Sequence, residues 1–159
     1  MLTELCAHLR NYFLRDYNNP DAYIHHGTFV VSDGQIQALS FLQPGQYFRI
    51  IGSVFNDGVW KYRPGEQEND GEGLHDETFT GTIWAMSVPP AFLELADEIA
   101  AWNEANDAAL SSPYQSESFG GYSYTKRSGS GTASSGSAAY GWQDQFAARL
   151  APYRRLSVL

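Results

Sequence analysis

Between Ala22 and Val88 the chain alternates short β-branched, aromatic runs with tight turns, and few folds accept that texture. The runs are Ala22 to Val31, Gln35 to Leu42, Tyr47 to Val54, Val59 to Tyr62 and Thr78 to Val88. The first three gaps hold Ser32-Asp33-Gly34, Gln43-Pro44-Gly45-Gln46 and Asn56-Asp57-Gly58. Asp-Gly fits turns that need positive φ, and runs this short and closely spaced pair antiparallel. The spacing predicts a five-stranded antiparallel meander or small curled barrel. In the second run the apolar parity shifts from Ile36 to Leu39 and Phe41, which predicts a bulge or strand end near Ala38. The fifth run is apolar on both faces, with Phe79, Ile83 and Ala85 against Trp84 and Met86, and belongs at the centre or under a helix.

Helical periodicity flanks this block. Leu2, Leu5, Cys6, Leu9 and Phe13 make one stripe and predict a helix over residues 2–15, stopped by Asn18-Asn19-Pro20. Pro89-Pro90 opens a second helix over 90–109, with Phe92, Leu95, Ala96, Ile99 and Trp102 as its stripe. That helix carries five acids and no base. The expected fold is therefore α+β. Residues 1–21 and 89–159 form a helical domain, and residues 22–88 are an inserted β subdomain.

The remaining chain reads as docking equipment. Residues 113–125, PYQSESFGGYSYT, are aromatic and hydroxyl-rich and hinge on Gly120-Gly121. Alternation after the hinge predicts a short strand with Tyr122 and Tyr124 on one face. Residues 128–139, SGSGTASSGSAA, have almost nothing to bury and predict a flexible tether. Residues 141–156 predict a terminal helix with Trp142, Phe146 and Leu150 four apart, bent or ended at Pro152. From Lys126 onward there are five bases against one acid, Asp144. The interface residues expected here are Tyr114, Phe119, Tyr122, Tyr124, Trp142, Phe146, Arg154 and Arg155.

Charge and composition narrow the function. A net charge of −8 over 159 residues argues against a surface that grips nucleic acid. Residues 63–77 carry six acids, and Glu66, Glu68, Asp70 and Glu72 are expected to face solvent or a channel. Their spacing from Glu66 to Glu77 imitates an EF-hand loop, but an Asp at the first position and a helix leading in are both missing. His25-His26 alternate across a strand and cannot readily share one ion. No Gly-x-Ser-x-Gly elbow occurs. Cys6 is single and lies on an apolar stripe, so it reads as a buried thiol. No basic-then-apolar leader and no run near 20 apolar residues is visible, so a soluble protein made in a cytoplasm is expected. Neither cofactor, metal nor catalysis is expected.

Ser116-Glu117-Ser118, the hinge, Tyr122-Ser123-Tyr124, the Gly/Ser gap and Tyr153-Arg154-Arg155-Leu156 together resemble the C-terminal half of tailed-bacteriophage head–tail connector proteins. The resemblance covers roughly residues 90–156. It implies a virion structural protein of the neck, assembled in the bacterial host cytoplasm. It also implies a ring of about twelve copies beneath the portal, touching the portal and the next neck or tail protein and letting DNA pass without tight binding. Two other classes fit the residues: a carbohydrate- or protein-binding β module with Trp60 as its contact residue, and a small hydrolase with an unrecognised site.

Overall fold

A computed structural model describes residues 1–65, 73–110, 116–119, 122–125 and 141–155, those at 107–110, 116–119 and 122–125 by backbone alone. Five strands form one antiparallel sheet: β1 (Ile24–Ser32), β2 (Gln35–Ile36), β3 (Tyr47–Ile51), β4 (Gly58–Lys61) and β5 (Glu77–Ala85). Their order is β2-β1-β5-β3-β4. The centre belongs to β5, as its two apolar faces predict; it pairs with β1 from Ile24↔Trp84 to Val31↔Glu77 and with β3 from Phe48↔Ala85 to Ile51↔Thr82.

This order corrects a strictly sequential meander. Two hairpins, β1–β2 and β3–β4, are held apart by β5. The first turns at Asp33 (φ 53°) and Gly34 (φ 75°), as an Asp-Gly hairpin requires. Beyond Ile36 the expected second strand stops, close to the parity shift. Leu39 and Leu42 instead plug the sheet's inner face, and the Leu39 amide donates to the Tyr62 hydroxyl at 3.1 Å. Burying two leucines outweighs continuing a strand into Pro44, which has no amide to donate.

Two glycines mark the close approach of the Ile51 end of β3 to β5. Gly52 has φ 92°. A Cβ on Gly81 would stand 2.3 Å from the Ile51 carbonyl oxygen, so β3 and β5 can close there only because position 81 lacks a side chain. The inner face collects Phe29, Val31, Ile36, Phe48, Ile50, Phe79, Ile83 and Ala85 into one core, with Trp60 packed against it.

A second core lies among the helices. It joins Leu5, Cys6 and Leu9 of α1 (Leu2–Leu9) to Phe92, Leu95, Ala96 and Ile99 of α2 (Pro90–Leu110). The C-terminal segment enters it through Trp142, Phe146 and Leu150. Helix α1 stops six residues before the expected end at residue 15. Arg10 turns left-handed (φ 53°), and Asn11 then organises the exit. Its carbonyl oxygen accepts from the Phe13 amide and the Tyr17 hydroxyl, and its amide donates to the Tyr153 carbonyl at 2.8 Å. The released chain runs beside the sheet's end: Leu14 bridges Met86, and the Ser87 amide donates to the Phe13 carbonyl.

Nor is the terminal helix continuous. It consists of α3 (Trp142–Gln145) and α4 (Ala147–Leu150), broken at Phe146 (φ −106°), then a 3-10 turn over Ala151–Tyr153. The break lets Trp142, Phe146 and Leu150 all reach the same core. Finally, the short strand expected after Gly121 has a partner that was not expected: β6 (Ser116–Phe119) pairs antiparallel with β7 (Tyr122–Thr125). The molecule is α+β, with a half-barrel of five strands and helices at either end of the block.

Candidate functional site

The site residues expected from sequence scatter across three settings. Tyr114, the acids Glu66, Glu68, Asp70 and Glu72, the 128–139 tether and Leu156 lie outside the described residues. Phe119, Tyr122 and Tyr124 fall in the β6–β7 hairpin, where the register sets Phe119 opposite Tyr122 and Glu117 opposite Tyr124. The hinge expected at Gly120-Gly121 lies outside the described residues.

Trp142 and Phe146 must be reassigned. Both were expected on a docking face, and both are buried in the chain's own core, 7% exposed each. Trp142 meets His8 edge-on, and Phe146 meets Trp102 edge-on. The reason is simple: an apolar stripe ending a chain is covered by the nearest apolar surface, here α1 and α2. The segment is also clamped from outside by Arg149, whose guanidinium makes a two-pronged contact with Glu98 on α2 at 2.6 and 2.7 Å. Arg154 is exposed, its guanidinium 3.3 Å from the His8 imidazole. The Arg155 guanidinium stacks 3.3 Å from the Tyr17 ring centroid, and its amide donates to the Leu9 carbonyl. These two arginines share a cleft with His8 and Arg10.

One feature escaped the sequence reading, which ran the third strand on to Val54. The chain leaves β3 at Ile51 and forms a loop that holds Val54 79% and Phe55 63% exposed. Beneath them sits a dense polar network. All four successive amides from Ser53 to Asn56 donate to side chains: to Asp57 Oδ1, Glu77 Oε2, Ser53 Oγ and Ser53 Oγ in turn. The Ser53 hydroxyl donates to Glu77 Oε1. Asn56, fully buried, donates to both the His75 carbonyl and Glu77 Oε1, and accepts from the His75 amide. The Trp60 indole donates to the Asn56 carbonyl at 2.8 Å, so its polar edge is engaged in the loop rather than offered to a sugar.

This network has no nucleophile ready for chemistry. The hydrogen bonds from Ser53 and Asn56 hold the Glu77 carboxyl below the usual carboxylate range, which makes it a weak base. Ser53 spends its oxygen on two backbone amides. Elsewhere, burial pushes the Cys6 thiol up to about 12, so it stays protonated. His25 stacks on Phe41 and is held below the usual imidazole value by burial and then by His26. Among the described residues no group of His, Cys, Asp and Glu is placed to hold a metal ion, and no helix is long and apolar enough to cross a membrane. The described surface carries a braced apolar loop, a two-stranded hairpin and a cluster of bases. No protein-family model, curated protein or solved structure matches this chain.

Proposed function

We propose that the chain is a structural subunit of a phage or prophage virion, a head–tail connector that assembles as a ring beneath the portal. The observation that carries this reading is the β6–β7 hairpin. Two pieces of the segment bearing the resemblance, Ser-Glu-Ser and Tyr-Ser-Tyr, form a sheet of their own, separate from the five-stranded one. Two short strands have little stability alone, and each keeps an edge able to accept another strand. A neighbouring subunit or the portal supplies that strand, with main-chain bonds giving affinity and side chains giving choice of partner. The net charge of −8 suits a wall that DNA slides past.

The test is assembly. The purified chain, alone and with a phage portal protein, is examined by mass photometry and negative-stain imaging. Rings or ring–portal complexes are expected, and the double substitution Tyr122→Ala with Tyr124→Ala is expected to lose them while the chain stays folded. A wild type that stays monomeric in both settings overturns the reading. So does Trp60-dependent binding on a glycan array, which would return the chain to the class of binding modules.

A further inference from the structure

We propose that the Val54–Phe55 loop is the inserting half of a head-to-tail contact between copies of this chain, received by a cleft at the opposite end of strand β3 in the next copy. This rests on the reading of the chain as a self-assembling subunit and names the surfaces that do the assembling.

The loop has the marks of a contact rather than of a tolerated accident. Phe55 and Val54 are the two most exposed large apolar side chains among the described residues. An exposed pair like this is ordinarily relieved by a loop folding back. Here the loop cannot fold back, because each amide from Ser53 to Asn56 is tied to a side chain and Asn56 is locked to the backbone of His75. A loop already fixed in its bound shape loses little conformational entropy on docking.

The receiving cleft is a cavity of about 640 Å³, open to solvent. Its walls include Tyr23, Phe41, Pro44, Tyr47, Val88 and Leu93, all apolar or aromatic and none fully buried. Position along the strand sets the polarity. The loop leaves the Ile51 end of β3, whereas Tyr47 begins that strand. On the neighbouring strand, Glu77 at one end braces the loop, and Ala85 at the other end lines the cleft. The four steps from Tyr47 to Ile51 separate the two ends of the strand by roughly 13 Å. A contact joining one end to the other is heterologous, so it repeats from copy to copy and closes into a ring when the rotation allows.

Charge selects a second copy as the occupant. The loop is flanked by the acids that brace it, exposed Asp57 and half-buried Glu77. The cleft carries exposed Arg15 and no acid among its lining residues, so acid faces base when the loop docks there.

The test uses cross-linking, because the native Cys6 is buried and silent. Full-length Phe55→Cys and full-length Pro44→Cys are mixed under mild oxidation; both positions are exposed. Disulfide-linked heterodimers, absent from either variant alone, are the expected result. In parallel, Phe55→Asp is expected to leave the circular dichroism and melting temperature unchanged while weakening self-association by about tenfold or more. Should wild type assemble while the mixture fails to cross-link and Phe55→Asp assembles equally well, this contact is wrong and the self-assembly reading stands. Homodimers of Phe55→Cys alone would also overturn it, because they mean loop meets loop. A wild type that never self-associates, even with portal present, removes both.

Discussion

The side chain of Asn56 pairs with the backbone of His75 as a strand would: its amide donates to the His75 carbonyl at 2.8 Å, and its oxygen accepts from the His75 amide at 2.7 Å. A single residue thus ties the loop between β3 and β4 to the start of β5. Removing it takes a partner each from the part-buried His75 amide and carbonyl and from Glu77. Asn56→Ala should therefore cost about 1–3 kcal/mol of stability, read as a lower urea midpoint with unchanged slope. Asn56→Asp should cost more, since it sets a second carboxylate where Asn56 now donates to Glu77 at 2.7 Å.

Glu77 makes the same network sensitive to acid. Its carboxyl is held below the ordinary value of 4.5, first by the Ser53 hydroxyl and then by Asn56 and the Val54 and Phe55 amides. A depressed pKa contributes stability that is fully present above the unfolded-state value and is lost as pH falls through the folded value. Melting temperature should therefore drop as pH is lowered from 4.5, and Glu77→Gln should flatten part of that drop. Glu98 follows the same sign through its contact with Arg149, so Glu77→Gln combined with Arg149→Gln should flatten it further. An unchanged acid limb in the double variant would show that neither carboxylate matters to folding.

Cys6 provides a clean probe of opening. The thiol is fully buried beside Leu5 and Leu9, and its pKa is pushed up to about 12, so at neutral pH almost no thiolate exists to react. Labelling by a thiol reagent should be negligible in the native protein and should rise with urea along the unfolding curve measured by fluorescence. Fast labelling in the absence of denaturant would mean that the helical core opens locally.

Much of this fold was legible in residue pattern. Asp33-Gly34 gave the first hairpin because positive φ leaves few other residues eligible. The doubly apolar run at 78–88 put β5 in the centre, since a strand with partners on both edges and packing on both faces has little polar side to show. The strand order was not legible. Placing β5 between β1 and β3 depends on pairings of high sequence separation, which local periodicity does not encode. The early end of α1 was equally hidden, because Asn11 earns its role from Tyr153, 142 positions away. As for the site, the Ser53–Asn56 turn chemistry was present in the letters, but Val54 continued an apolar alternation and read as strand. Gly120-Gly121 carried a hairpin signal that lacked an obvious first strand, as Ser116 to Phe119 has little β-branched content.

The C-terminal segment tests how far function and folding are separable. A docking arm contributes nothing to the isolated subunit, and its apolar stripe can be cut without loss of stability. Leu150 is only 1% exposed and packs in one cluster with Leu5, Leu9, Phe92 and Ile99. Leu150→Ala leaves a cavity between α1 and α2 that neighbouring side chains fill only in part, and it should cost about 2–5 kcal/mol. Trp142→Ala should fall in or above that range, because it also removes the edge-on contact with His8. Chemical denaturation of the dilute monomer separates the two roles. Large losses of stability place this segment inside the fold, and the proposed assembly would then rest on the hairpin and the Val54–Phe55 loop. Losses below about 0.5 kcal/mol would make it an arm after all, since only surface positions away from special contacts behave that way.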